Sequence, residues 1–191
     1  MIILIVFQQQ LKYTSASALG GRSMGARASA RAQIYSRIKL LIFFTYPLVR
    51  GLDERYEEVL SLTADTDVLF IIGDSDPLCH EMHLSAIRSR MKARTWWIRM
   101  IQGDHALWYE DAQRDRMCNV AGQLAAWWCD EGNRDAGLTE LTLGWDDEAR
   151  VATWTNWMAP SPKPEPAQTR FNVSVLGSRL PGGVGNFSFN L

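Results

Sequence analysis

Apolar residues fall in four short, nearly unbroken runs, separated by longer stretches in which they recur at helical spacing. The runs are 14–20 (TSASALG), 38–44 (IKLLIFF), 67–72 (DVLFII) and 95–101 (TWWIRMI). Each has the length of a strand. Near-continuous apolar character, rather than strict alternation, marks strands covered on both faces. The last run is also rich in β-branched and aromatic residues, which suit a pleated surface.

The intervening stretches predict helices. Residues 24–37 are rich in Ala and Arg, with Ala28, Ala32 and Tyr35 at helical spacing. Residues 53–62 (DERYEEVLSL) read as a short polar helix, after Pro47 has interrupted regular structure. Residues 81–92 carry Met82, Leu84 and Ile87, and 109–130 carry an apolar face through Met117, Val120, Leu124 and either Trp127 or Trp128. Strand and helix therefore alternate, which predicts an α/β fold with a mostly parallel sheet flanked by helices. Functional residues in such sheets gather beyond the carboxyl ends of the strands.

From about residue 133 the pattern changes. Residues 143–157 (LGWDDEARVATWTNW) predict a Trp-rich hairpin in which Trp145, Trp154 and Trp157 pair across strands. Residues 159–167 (APSPKPEPA) predict an extended Pro-rich linker, and 171–191 a Gly-containing tail with weak strand signals in FNVSV and NFSFN. The expected partition is an N-terminal segment 1–13, the main domain 14–132, and a hairpin, linker and tail over 133–191. The opening MIILIVF is apolar throughout, yet far short of the ~20 residues that cross a bilayer.

Composition narrows the function. The chain has 191 residues, enough for one domain with a real core, and a net charge of −1. That balance predicts neither a nucleic-acid nor a membrane partner. Charge is uneven: no acidic residue precedes Asp53, while Lys12, Arg22, Arg27, Arg31, Arg37, Lys39 and Arg50 are all basic. An Arg- and Ser-rich start of this kind fits a transit peptide in composition, but MIILIVF is neither basic nor amphipathic. The three cysteines, Cys79, Cys118 and Cys129, form no CxxC pair and read as reduced thiols of a cytoplasmic protein, with the nucleus as the alternative. Cys79, His80 and His83 lie close together but match no metal-ligand spacing, so no metal and no cofactor is expected. Trp96, Trp97, Trp127 and Trp128 read as packing residues.

Three short signals carry chemistry. Gly21-Arg22-Ser23-Met24-Gly25 matches G-x-S-x-G and lies between a predicted strand and a predicted helix, the context that motif requires. There a serine sits on a sharp turn with its hydroxyl above the sheet, glycines clear the strand–helix approach, and the Met24 N–H can donate to an oxyanion. An idle serine in a Gly-rich turn is the competing reading. Gly73-Asp74-Ser75-Asp76-Pro77 follows the third strand; Asp76 is the candidate acid and Asp74 its rival, against a plain turn-forming aspartate. Gly103-Asp104-His105 follows the fourth strand and offers a base in His105, with a loop histidine as the alternative and Asp104 as a solvated neighbour. The order Ser–Asp–His, each after a strand, is that of the α/β-hydrolases. Arg22 beside the serine either attracts an anionic substrate or is a solvated side chain.

GGRSMGARAS, FFTYPL, VLFIIGDSDPL and IQGDHAL together resemble the KANL/Tex-type α/β-hydrolase-like family, which includes testis-expressed protein 30 and subunit 3 of the NSL histone-acetyltransferase complex. Dienelactone-hydrolase-like enzymes are more distant relatives. The resemblance covers about residues 14–130. It implies Ser23 as nucleophile, Asp76 as acid and His105 as base of a serine hydrolase, in a family with some members that act as interaction scaffolds. One departure is large. Such domains place several strands before the nucleophile and draw a second oxyanion donor from the loop after the third of them. Only 22 residues precede Ser23, so the chain reads as the C-terminal half of the fold, a truncated form whose first strand has an open edge. Two functions are expected: an esterase-type hydrolase acting on a small acyl substrate, or a non-catalytic module that contacts protein partners.

Overall fold

The computed structural model describes residues 17–109 and 111–160. The N-terminal segment 1–13, most of the Pro-rich linker and the tail 171–191 lie outside these residues. Within them a six-stranded sheet runs in the order β1 (Leu19–Arg22), β2 (Leu40–Phe44), β5 (Asp67–Gly73), β6 (Arg94–Met100), β7 (Glu140–Asp146), β8 (Val151–Trp154). The first five strands in that order are parallel and β8 returns antiparallel. Among the described residues β1 has β2 as its neighbour and forms one edge. The expected α/β fold, a mostly parallel sheet with flanking helices, is the fold found.

Helices cover both faces. On one side α1 (Met24–Gln33), α2 (Glu57–Leu60) and α3 (Glu81–Arg88) pack over Leu41, Phe43, Val68, Phe70 and Trp97. On the other, α4 (Asp111–Trp128) packs over Leu69, Ile71, Ile98 and Met100. All seven residues of β5 are buried, as an unbroken apolar run predicts for the centre of a parallel sheet. Trp96 and Trp128 meet edge-on at 5.5 Å between ring centroids, both essentially without exposure. That geometry suits the aromatic quadrupoles and anchors the end of α4 to β6. Among the described residues no helix is long and apolar enough to cross a membrane.

Three local expectations are corrected. Helix α1 ends at Gln33 rather than 37 and buries Ala26, Ser29, Ala30, Ala32 and Gln33; Tyr35 lies beyond the helix and is exposed. Residues 53–62 are not one helix. Asp53–Glu54 (β4) pairs antiparallel with Val49–Arg50 (β3) about Gly51, whose φ of 61° suits a tight two-residue turn, and helix remains only over Glu57–Leu60. The apolar face of α4 is the expected one: Met117 and Trp128 are buried, Val120 and Leu124 pack against the same core beside Ala121 and Ala125, and of the two tryptophans it is Trp127 that is exposed. In the β7–β8 hairpin Trp145 faces Ala152 and Trp154 faces Leu143, so the indoles do not sit directly opposite one another. That hairpin also extends the main sheet, because β7 pairs parallel with β6.

Buried charges sit in pairs. Asp67 accepts hydrogen bonds from Arg94 at 2.6 and 2.9 Å, and Arg134 lies 3.0 Å away. Glu58 draws Arg27 and Arg31 of α1 onto α2. Burial alone would raise the Glu58 carboxyl, but hydrogen bonds from the two guanidiniums outweigh it and hold it below its usual value.

The core argument is testable by unfolding in urea. Trp128→Ala removes an unexposed indole and is expected to cost about 3–5 kcal/mol. Trp154→Ala, at a position 54% exposed, is expected to change stability by less than about 0.5 kcal/mol.

Candidate active site

Parallel pairing sets the strand ends level, because Arg22, Phe44 and Ile71 lie side by side. Residues that follow β1, β5 and β6 therefore reach one rim. Ser23 stands between β1 and α1 with φ 51° and ψ −114°, a conformation that L-residues adopt only under constraint. Holding it costs on the order of 1–3 kcal/mol. The restraints are visible. Ser23 N–H donates to the Phe44 carbonyl at 3.0 Å, and Ser29 Oγ donates to the carbonyls of Gly20 and Gly25, both at 2.9 Å. A Cβ at Gly21 would come within 2.5 Å of the Gly25 carbonyl carbon, so only glycine fits there. Gly25 contributes its backbone to that contact; a Cβ on Gly25 itself would meet nothing within 4 Å. The two glycines of the motif are therefore not equivalent.

Met24 is the first residue of α1. Its N–H is among the first-turn donors that have no acceptor within the helix, and the helix dipole adds partial positive charge beside Ser23.

Asp76 is wholly buried in the turn after β5. Its Oδ1 accepts from the Leu78 N–H at 2.8 Å, and the turn closes through Asp76 N–H to the Gly73 carbonyl and Cys79 N–H to the Asp76 carbonyl. The YPL segment braces this turn from outside: Leu48 N–H donates to the Leu78 carbonyl at 2.9 Å. Tyr46 anchors the brace in the core against Phe43 and Phe70, with its hydroxyl on the Arg55 carbonyl at 3.1 Å. Burial, then Glu58, pushes that hydroxyl's pKa well above its usual value. Asp74, the rival acid, points elsewhere: its Oδ1 accepts from the Gln102 N–H at 2.8 Å and from Ser75 Oγ at 3.0 Å.

His105 rides on a loop after β6 that Asp104 organises, accepting the N–H groups of Ala106 and Trp108 on one oxygen at 2.8 and 2.9 Å. Asp104 is thus a loop brace rather than a merely solvated neighbour. The acid and base loops touch through glycine backbones. A Cβ at Gly73 would come within 2.0 Å of the Gly103 carbonyl oxygen, and Ser75 N–H donates to that oxygen at 3.0 Å. Tyr109, whose hydroxyl donates to the Ile101 carbonyl at 3.1 Å, closes over Gly103. Neither the glycine contact nor the role of Tyr109 was foreseen; the available signal was a glycine at the end of β5 and another in the loop after β6.

The three candidates meet. Ser23 Oγ lies 2.9 Å from His105 Nε2, and His105 Nδ1 lies 2.9 and 3.1 Å from the two oxygens of Asp76. A carboxylate only accepts, so Nδ1 carries the proton and Nε2 is left to accept from the serine hydroxyl. The imidazole is 23% exposed while the carboxylate is fully enclosed. Arg22 adds a link unseen in the sequence, Nη2 donating to the His105 carbonyl at 3.2 Å. Met24 and Trp108 stand exposed in the chain beside Ser23 and His105.

Other groups lie apart. Cys79 is buried, and the rings of His80 and His83 meet edge-on at 5.9 Å. Among the described residues no group of three His, Cys, Asp or Glu is placed to hold a metal ion. A cleft beside α3, lined by Ser85, Arg88, Trp96 and Thr139, includes none of the three site residues.

A model of the alpha/beta hydrolase domain family matches residues 3–127. Among solved structures, the chain is similar to the esterase domain of a Rhodothermus marinus protein, with 16% identity and a TM-score of 0.47 over 63% of this chain and 62% of that one. It is also similar to a truncated form of a carbohydrate esterase from gut microbiota, with 16% identity and a TM-score of 0.40 over 65% of this chain and 66% of that one. The chain thus spans less than two thirds of either. No curated protein matches it.

The unequal glycines give a direct test. Gly21→Ala is expected to lower the melting temperature markedly or prevent folding. Gly25→Ala, in open space within a helix, is expected to be neutral or to stabilise by up to about 1 kcal/mol.

Proposed function

The chain belongs to the alpha/beta hydrolase domain family, and on that premise we propose that it is a serine hydrolase of carboxylesterase type. The observation that carries this reading is the continuous hydrogen-bonded line from Ser23 Oγ through the His105 ring to Asp76. Ser23 attacks the carbonyl of an acyl substrate. His105 Nε2 takes the hydroxyl proton and returns it to the leaving alcohol. Asp76 holds the ring in the required tautomer and stabilises its charged form. The Met24 N–H donates to the oxyanion as it develops. Water then attacks the acyl-enzyme with His105 again as base, and the acid product leaves. No cofactor enters the scheme.

Within this family, the four motifs quoted from the sequence support membership of the KANL/Tex-type group. The main domain in this reading starts near residue 14 and takes in the β7–β8 hairpin, which shares its sheet, so the expected boundary at 132 moves beyond Trp154. Three free cysteines suit the reducing cytoplasm or nucleus.

A fluorophosphonate probe tests the proposal. The protein is expected to be labelled, Ser23→Ala is expected not to be, and Asp76→Asn is expected to lower kcat for a simple ester by roughly ten-thousand-fold. A folded, unlabelled protein would point instead to the interaction module.

A further inference from the structure

Arg22 places a cation directly before the nucleophile, and the hydrolase reading leaves it without a role. Its exposed guanidinium donates from Nη2 to the His105 carbonyl at 3.2 Å, which brings the charge to the backbone of the base. No ion pair among the described residues involves Arg22. By contrast, Arg27 and Arg31, on the helix that follows, share Glu58.

One hydrogen bond to a carbonyl leaves most of the guanidinium's N–H donors free. Their planar fork matches a carboxylate, and an Arg–carboxylate contact is stronger and more directional than a neutral one. The positive end of α1 adds to the same field. A carbonyl bound at Ser23 would bring its neighbouring substituents within reach of this charge.

We propose that Arg22 makes the site selective for esters that carry a carboxylate. This rests on the serine-hydrolase reading and adds a substrate class to it. The alternative for Arg22 is to hold the His105 loop alone. That role would alter the hydrolysis of charged and neutral esters alike; recognition of charge alters their ratio.

Two matched pairs of esters test it. One pair differs in the acyl part, para-nitrophenyl hydrogen adipate against methyl para-nitrophenyl adipate. The other differs in the leaving group, para-acetoxybenzoate against para-acetoxybenzamide. In at least one pair the charged member is expected to show about tenfold higher kcat/KM at low ionic strength, shrinking as salt screens the exposed site. Arg22→Gln is expected to abolish that preference, whatever it does to the overall rate, and Arg22→Lys to keep part of it. No preference in either pair, or the same preference in Arg22→Gln, overturns the proposal and leaves the hydrolase reading standing. If folded wild-type protein, shown by a cooperative melt, hydrolyses none of the esters, both fail together.

Discussion

No side chain can occupy the gap between the end of β1 and the first turn of α1. With Gly21 bare, the strand and the helix backbone come close enough for the Ser23 amide to reach Phe44 and for Ser29 to bridge strand and helix. The unfavourable φ of Ser23 follows from that closeness, and with it the position of the hydroxyl. A second bare contact, Gly73 on Gly103, does the same for the other two groups by joining the loops of Asp76 and His105. The site is therefore set by backbone approach at two points. Each depends on the absence of a methyl group, and side-chain hydrogen bonds add the final alignment.

Charge is distributed to match. Near the amino ends of β5, β6 and β7, buried acids are held by arginines: Asp67 by Arg94 and Arg134, Glu140 by Arg88 at 2.7 Å. An unpaired buried charge costs several kcal/mol, so these pairs are obligatory where they occur. At the opposite rim no arginine among the described residues pairs with the buried Asp76. It relies on the imidazole and a backbone amide, and Arg22 donates to the His105 backbone.

Much of this was legible from the order of residues. The runs 38–44, 67–72 and 95–101 became β2, β5 and β6, because a strand buried in a covered sheet leaves a nearly unbroken signature; of the run 14–20 only Leu19 and Gly20 lie in β1, which continues through Gly21 to Arg22. G-x-S-x-G between a strand and a helix marked the elbow, and the glycine-led acidic and histidine loops marked their partners. Strand β7 was recognised only as the first arm of a hairpin starting at 143; its start at Glu140 and its pairing with β6 were not foreseen. Glu140 interrupts the apolar pattern, and Arg88 of α3, far along the chain, pairs with it. The paired two-residue strands at 49–54 were hidden for a different reason: charged Asp53 and Glu54 suit a helix start equally well, and Gly51 decides between them by its conformation. The end of α1 was set too late because Tyr35 continues the helical spacing, whereas the helix stops at Gln33. Asp74 and Asp76 could be ranked only weakly in advance; what separates them is that one faces the Gln102 amide and the other faces His105.

The serine and the imidazole that bond to each other are 82 residues apart along the chain. Between them lie β2, β5 and β6, each of which must pair before the two can meet. Contacts of such long sequence separation demand that a large loop be closed, and topologies built from them assemble slowly. In the proposed hydrolase, reaction with an electrophile would thus report on the whole sheet from β1 to β6. A partly assembled chain would hold every candidate side chain without the line that joins them, so labelling by an electrophile would gauge how far folding has gone.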